Sequence, residues 1–490
     1  MISIDDFNSQ VGKIYNLNSH LLKYSPAFCR CEGQSKSYLR ISNNINYKNI
    51  FFFYAIIFLI IKIIRDILLS FTASKINILE KINNDSIIVF SYFDHRNNNN
   101  GVLREEYFRK ILENNKDVIC LYKLTTPGFY KRGKKYINLI ERLEKNFSAY
   151  SENHLVNLKM IFEAIILNII HFFKFLSIKI PKNTDYQIVK TLKRTHYKEI
   201  IDGTVYTLYL QNRIFTKILK NKPNQILSVW ENQPWVRVLE SLKKEISPST
   251  TSKGFQHTGF SKKLLQHYPS KYEMNLDTYP DYIITNGEIN KNELIENTNL
   301  PSKIILGGAL RQDHLLIENF KKIKKLSYDS ILNIAYAFSW EQEGYEKIIN
   351  DLYDLPDEIN VYLKFHPLYP DWIRRKDFPD RFINTQLSWF EIAKKCDLVL
   401  VNDNSLMFEG YYYGMSTAIY DGADIFNLEK RDFDSPICHL KKEDLKKLTS
   451  SEIIEKINNS TQKVINTKYL EKYFFQQDIK YLKYIFLDKI

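Results

Sequence analysis

Residues 360–372 read NVYLKFHPLYPDW, and residues 396–421 read CDLVLVNDNSLMFEGYYYGMSTAIYD. Each stretch opens with a short apolar run and ends in a polar tip. The first run, Val361–Phe365, stops at His366-Pro367. The second, Asp397–Val401, stops at Asn402-Asp403-Asn404-Ser405. A helical stretch, Leu406–Tyr413, follows directly, is closed by Gly414, and leads to a third run at Thr417–Tyr420. Short apolar runs alternating with helical stretches predict a parallel sheet covered by helices. Ligands of such sheets bind beyond the carboxyl ends of the strands. His366, Asn404, Ser405 and Glu409 all fall at that edge.

Working outward in both directions, the same pattern recurs. Strands are expected at Ser86–Tyr92, Asp117–Leu121, Ile226–Trp230, Ser252–Phe255 and Tyr282–Thr285. Their tips carry Asp94, then Glu231 within WENQPW, then Gln256 and His257. A polar stretch, Asn290–Leu300, suggests a domain boundary, with Lys303–Leu306 and Ile331–Phe338 as strands beyond it. The tips of those two carry Arg311 and then Ser339 and Glu341. The expected fold class is α/β, with two Rossmann-like domains facing a cleft, a helical N-terminal extension and a helical insertion. The expected division is an extension over 1–75, a first domain over 76–295 with its insertion at about 134–213, a second domain over 296–460, and helices over 461–490.

At 490 residues the chain exceeds what one core holds. Its 44% hydrophobic and 14% aromatic content excludes a disordered chain. Net charge is +13, and clusters stand at Lys131-Arg132 with Lys134-Lys135 and at Lys321-Lys322 with Lys324-Lys325. A solvated helix face is the plain reading of each cluster. No nucleic-acid module is recognisable, and nucleic acid is not among the expected partners. Five cysteines at irregular spacing fit a reducing cytoplasm and no zinc pattern, so no metal site is expected. The opening MISIDDFNSQ does not read as a signal peptide. Two apolar stretches, Ile50–Phe71 and Met160–Ile180, are each interrupted by charges. As helices they suit burial or the membrane interface better than a full span, and they raise peripheral contact with the inner face of the cell membrane.

The polar tips suggest chemistry. A helix N-terminus presents free N–H groups to phosphate, although Asn404 and Ser405 would serve equally as plain caps. Glu409 stands at helical spacing from Ser405, so both fall on one face, where a carboxylate can take the two hydroxyls of a ribose. His366 with Pro367 adds a phosphate donor on a stiff turn. The set reads as a site for a nucleotide diphosphate.

HP on one strand tip followed by S-x-x-x-E and a glycine resembles the carboxyl-terminal half of GT-B glycosyltransferases. FQHTGF (255–260), GGALR (307–311), KFHP (364–367) and NDNSLMFEGYYYG (402–414) resemble bacterial surface-carbohydrate enzymes, including sialyl- and Kdo-transferase-like groups, over about residues 225–425. Asp403 stands where many relatives carry Ser or Thr. The resemblance implies a nucleotide-sugar donor in the second domain, a glycan or lipid-linked glycan acceptor in the first, reaction in the cleft between them, and no metal or other cofactor. Inverting transfer needs a base for the acceptor hydroxyl. Glu231, Asp94 and His257 are the candidates, Glu231 first because two tryptophans flank it and could hold sugar faces. Arg311, Ser339 and Glu341 would stand by the donor, with Arg311 facing the leaving diphosphate. A glycerophosphate-type polymer transferase and a non-catalytic membrane-associated assembly protein are the competing readings.

Overall fold

The computed structural model describes residues 3–31, 52–73, 77–93, 97–99, 101–112, 118–124, 130–143, 145, 147–256, 265–310, 326–327, 332–338, 345–366, 369, 371–374, 376–401, 406–420, 438–447, 449–461, 472 and 479–487. The chain divides into two compact units. The first takes residues 1–260, 264–311 and 476–490, and the second takes 261–263 and 312–475.

The first unit is built on β1 (Ile87–Phe93), β4 (Val118–Leu124), β5 (Ser148–Ser151), β6 (Gln225–Val229), β7 (Thr251–Phe255), β8 (Tyr282–Thr285) and β9 (Lys303–Leu306). A two-residue antiparallel ladder, β2 (Asn98–Asn99) with β3 (Val102–Leu103), stands apart from the sheet. The order across the sheet is β5-β4-β1-β6-β7-β8-β9, and every pairing is parallel. The central strands β1, β4 and β6 are buried on both faces, as a sheet covered on both sides requires. Along β1, Ile88 and Phe90 enter one core while Ile87, Val89 and Phe93 enter another. That is the period-two alternation of a strand between two layers.

Two sequence expectations change here. Lys303–Leu306, read as opening the second domain, pairs with β8 in register from Tyr282↔Lys303 to Thr285↔Leu306. It is the last strand of the first sheet. The polar stretch before it is the crossover helix Glu288–Asn297 and its exit, not a linker. The stretch read as purely helical contains β5, four residues that extend the sheet edge beside β4. Four residues are too few for periodicity to show.

Helices fill the remainder of the first unit. Ile4–Leu17 buries Phe7, Val11, Ile14 and Tyr15 in the core. Arg30 is fully buried and grips both carboxylate oxygens of Glu273 at 2.6 Å, and Arg237 adds a third contact at 3.2 Å. Burial by itself would raise the Glu273 pKa, but the two guanidiniums win and hold it below the usual carboxylate value. Between β5 and β6 lie the helices Leu158–Leu176, Tyr186–Ile201 and Thr204–Leu219. The C-terminal helix Ile479–Leu487 returns to this unit and buries Leu482, Ile485 and Phe486.

The second unit holds β10 (Asn333–Ala337), β11 (Asn360–Lys364), β12 (Phe382–Asn384), β13 (Leu398–Val401), β14 (Ser416–Tyr420) and β15 (Cys438–Leu440), all parallel, in the order β12-β11-β10-β13-β14-β15. One face carries Ile334, Tyr336, Leu363, Leu398, Leu400 and Tyr420 into a single core. The other face is lined by smaller residues, among them Val399 and Thr417, and the helix Leu406–Tyr412 packs there through Gly410.

Candidate functional site

In each sheet the chain lays strands outward one way, then crosses the middle and continues the other way. The reversal falls between β1 and β6 in the first unit and between β10 and β13 in the second. Crossovers on either side of a reversal leave on opposite faces, so the carboxyl ends there stay open, and that is where doubly wound sheets bind ligands.

At the second reversal, Ala337, Lys364 and Val401 are level across three neighbouring strands. β11 and β13 therefore stand two strand spacings apart, about 10 Å. His366 lies two residues past this level on β11. Its backbone is fixed, since its carbonyl accepts from the Tyr369 N–H at 2.9 Å. Below it, the Phe338 and Phe365 rings stack at 4.4 Å, and the Phe338 N–H donates to the Lys364 carbonyl at 3.0 Å. The tips of β10 and β11 are thereby tied together. Glu409 rides the helix after β13 and is half-buried, as is His366. Gly410, next along, lets that helix touch the sheet: a Cβ there would stand 2.9 Å from Val399 Cγ2 and 3.1 Å from Thr417 Oγ1. Lys364 donates to the Leu387 carbonyl and stands 5.9 Å over the Trp389 ring. Burial lowers its pKa, while Glu409 and Glu391 pull the other way. This edge therefore joins an imidazole, a carboxylate and a partly desolvated ammonium.

At the first reversal, Glu231 follows β6 by two residues and is half-buried. Tyr92 at the end of β1 donates its hydroxyl to Glu231 Oε2 at 3.4 Å, and Gln233 Nε2 donates at 3.5 Å. Trp235 Nε1 in turn donates to the Tyr92 hydroxyl at 3.2 Å. Lys123, paired with Tyr92 across β1 and β4, sets its ammonium 5.2 Å over the Trp235 ring. Its pKa is lowered by burial and supported by Glu152 and Glu231. Glu152, just past β5, has its carboxyl pushed up by burial, against Lys123 and a 3.4 Å hydrogen bond from Gln211. Asn232 takes a left-handed φ of 49° in the turn that aims Glu231, and its side chain donates to the Gln266 carbonyl. The turn ends at Pro234, the first residue of the helix Pro234–Ile246.

Of the residues singled out from sequence, Glu231 stands at one reversal and His366 and Glu409 at the other. Gln256 is 1% exposed, and its Oε1 accepts from the Asn286 N–H at 3.0 Å, so it latches β7 to β8. Asp94, His257, Arg311, Ser339, Glu341, Pro367, Asn404 and Ser405 lie outside the described residues. The expectation that the flanking tryptophans hold sugar faces is overturned. Trp230 is 1% exposed beneath His267, and Trp235 is 4% exposed between Phe90 and Phe215. Each follows the alternation of its element into the core, and what Trp235 offers the site is the hydrogen bond to Tyr92. Sequence reading missed Tyr92, Lys123 and Glu152. Its second strand ended at Leu121, whereas β4 runs on to Leu124 and lifts Lys123 to the edge. A lysine inside the run VICLYKL was the available signal.

No family model matches the chain, and no curated protein matches it. Among solved structures it is similar to the calicheamicin glycosyltransferase CalG4 (TM-score 0.40, 7% identity, covering 79% of this chain and 98% of that one). It is also similar to the wall teichoic acid polymerase TagF (0.35, 13%, 92% and 95%). A third is the UDP-GlcNAc 2-epimerase from Neisseria meningitidis bound to UDP-GlcNAc (0.37, 12%, 81% and 96%). At such low scores and identities these likenesses carry no weight for function.

Proposed function

We propose that the chain is a glycosyltransferase that moves a sugar from a nucleotide-sugar donor to a growing cell-surface polysaccharide or lipid-linked glycan, at the cytoplasmic side and without a bound metal. The supporting observation is that polar residues named from the sequence stand at both strand-order reversals, Glu231 at one and His366 with Glu409 at the other. In this reading the second unit takes the nucleotide. His366 donates to a phosphate oxygen, Glu409 receives the ribose hydroxyls, and Lys364 balances the charge beside it. Pro367, Asn404, Ser405, Arg311, Ser339 and Glu341 complete the donor contacts. The first unit supplies Glu231 as the base that takes the acceptor hydroxyl proton, with Lys123 stabilising the carboxylate and Tyr92 orienting it. Asp94 and His257 are the other candidates for the base. The same donor site would serve a glycerophosphate-type polymer transferase, which is told apart by the polymer formed.

The test is a thermal-shift panel of UDP, GDP, ADP, CMP, CDP and dTDP, with and without Mg²⁺. One nucleotide should raise the midpoint by mass action without metal. His366→Ala and Glu409→Ala should each weaken that nucleotide by about tenfold, the loss of one charge-assisted hydrogen bond. Glu231→Gln should leave nucleotide affinity unchanged and lower turnover by about 10²–10⁴-fold. A flat panel on folded protein, or unchanged affinity in both alanine variants, overturns the donor site and favours a non-catalytic assembly protein.

A further inference from the structure

The helices Phe52–Thr72 and Leu158–Leu176 are apolar on the outside as well as on the inside. On the first, Ile57, Ile60, Ile64, Leu68 and Phe71 follow one another at helical spacing on the solvent side, and Tyr54 and Phe58 are exposed as well, with Phe58 57% and Phe71 70% exposed. The inward face holds Ala55 and Leu69 together with Asp66, which is buried, bonded to Arg65 at 2.8 Å and accepts from the Tyr206 hydroxyl at 3.2 Å. On the second, Phe162, Ile166, Ile169 and Phe173 face out, with both phenylalanines 63% exposed, while Asn168 and His171 face in. More than half of the exposed large apolar side chains among the described residues lie on these two helices.

The two helices touch each other and rest on the same support. Asp66 reaches Tyr206, and Lys62 stands 4.0 Å from Asp202. Gly203, at φ +78°, lets Leu59 lie against the turn between the supporting helices. Asn168 donates to the Ile200 carbonyl, and His171 meets His196 and Tyr209. Since Asp66, Asn168 and His171 all reach the helices Tyr186–Ile201 and Thr204–Leu219, the exposed apolar faces of the pair point away from that support. A third helix, Tyr130–Arg142, packs against the first, with Gly133 seated on Leu69. Around that glycine Lys131, Arg132, Lys134 and Lys135 are exposed. No helix among the described residues is long and apolar enough to cross a membrane.

From the paired outward apolar faces and the adjoining basic ridge, we propose that this surface lies in the interface of an anionic lipid bilayer, the two helices in its plane. Contiguous exposed apolar surface of this extent marks an interaction site. Helices of this kind sit about 5–10 Å into the headgroup and acyl boundary. The four cations select the occupant, since they attract acidic headgroups, each worth about fivefold in affinity near such a surface. The inference stands apart from the transferase reading, because lipid binding is read without donor, acceptor or turnover.

The experiment is flotation of the full chain with vesicles of phosphatidylglycerol and phosphatidylcholine, and with phosphatidylcholine vesicles, at low and high salt. The mixed vesicles should bind about tenfold or more tightly than the neutral ones, and salt should narrow the gap. The pairs Phe58→Glu with Ile64→Glu, and Phe162→Glu with Phe173→Glu, sit on exposed positions and should keep the wild-type melting curve while losing vesicle binding. Charge reversal at residues 131, 132, 134 and 135 should remove the preference for anionic vesicles. Equal binding by wild type and the glutamate variants overturns the proposal. So does a wild-type dimer in sedimentation velocity that ignores vesicles and that the same variants convert to monomer, which would assign the face to a second copy of the chain.

Discussion

His171 and His196 are fully buried, with their Nε2 atoms 2.8 Å apart. The chain continues from His171 Nδ1 to the Tyr209 hydroxyl at 3.0 Å, and from His196 Nδ1 to Glu199 Oε2 at 2.7 Å. Glu199 also accepts from the Ser25 hydroxyl and the Ala27 N–H, both at 2.7 Å. With Glu199 protonated and both imidazoles neutral, one proton sits in each gap and no group is left charged. Burial enforces this, raising Glu199 to about 8 and lowering His196 to about 3 and His171 to about 2. The sign follows from linkage. Glu199 binds its proton more tightly folded than unfolded, so its contribution is complete below the unfolded carboxyl value and is lost as pH rises through about 8. The histidines bind protons less tightly folded, so theirs is lost as pH falls below the unfolded histidine value. Stability should therefore peak near neutrality. From about pH 6.5, the ordinary histidine value, up to about 8 the wild type should lose up to about 1.4 kcal/mol per pH unit from this group, and above about 8 that loss stops. Glu199→Gln, which keeps an acceptor for Ala27 and a donor for His196, should flatten this limb in melts taken between about pH 6.5 and 8. An unchanged limb would assign the ionised carboxylate to the native state.

An element can be positioned by one missing atom. The helix Leu406–Tyr412 approaches β13 and β14 because residue 410 has no Cβ, and it carries Glu409 to the edge of the sheet. Val399 is β-branched and cannot swing its methyl aside cheaply. Gly410→Ala should thus cost about 1–3 kcal/mol of overpacking, and the displaced helix should weaken nucleotide binding as well. Glu409→Ala should weaken binding without the loss of stability, so a melt beside a nucleotide titration separates packing from contact. In the first sheet Gly254, within β7, makes room of a different kind: a Cβ there would stand 2.9 Å from Cβ of Trp230, the residue before Glu231. The loops that carry candidate chemistry are thus aimed by close packing of the elements beneath them.

Each unit of the molecule has its own sheet and core. The chain does not finish in the unit where it last builds a strand, because Ile479–Leu487 returns to the first. There Phe486 packs on Phe108 and Phe255, with ring centroids 6.2 and 5.5 Å away. Buried Lys253 donates to the Ile485 carbonyl at 2.9 Å. Ending the chain at residue 475 uncovers these rings and takes that acceptor from a buried ammonium. Losing the three core side chains alone removes about 1.5–3 kcal/mol apiece. Calorimetry should show the transition of the first unit moving down while that of the second stays in place. A shift of both by the same amount would show the two melting as one.

The sequence by itself determined the class of fold and most of the strands, the short edge strands β5, β12 and β15 excepted. Runs such as LVLV and VICL are buried on both sides, and their apolar character is local information that needs no partner to be read. It also marked polar residues at the tips, because a covered strand has nowhere else to carry them. The tertiary structure decided what locality cannot. Which strands are neighbours is a matter of crossover, and crossover alone placed Lys303–Leu306 in the first sheet and set Glu231 and His366 at reversals. Which apolar residues face outward is a matter of what packs beneath. The segments of Phe58 and Phe162 read from sequence as suited to burial or to a membrane interface, and the fold leaves both side chains exposed. The tryptophans beside Glu231 go the other way, and their ring faces are spent on the core. Hydrophobicity along a chain states that a side chain seeks cover. Whether protein or another phase supplies that cover is fixed by which face the neighbouring helices pack against and which face they leave over.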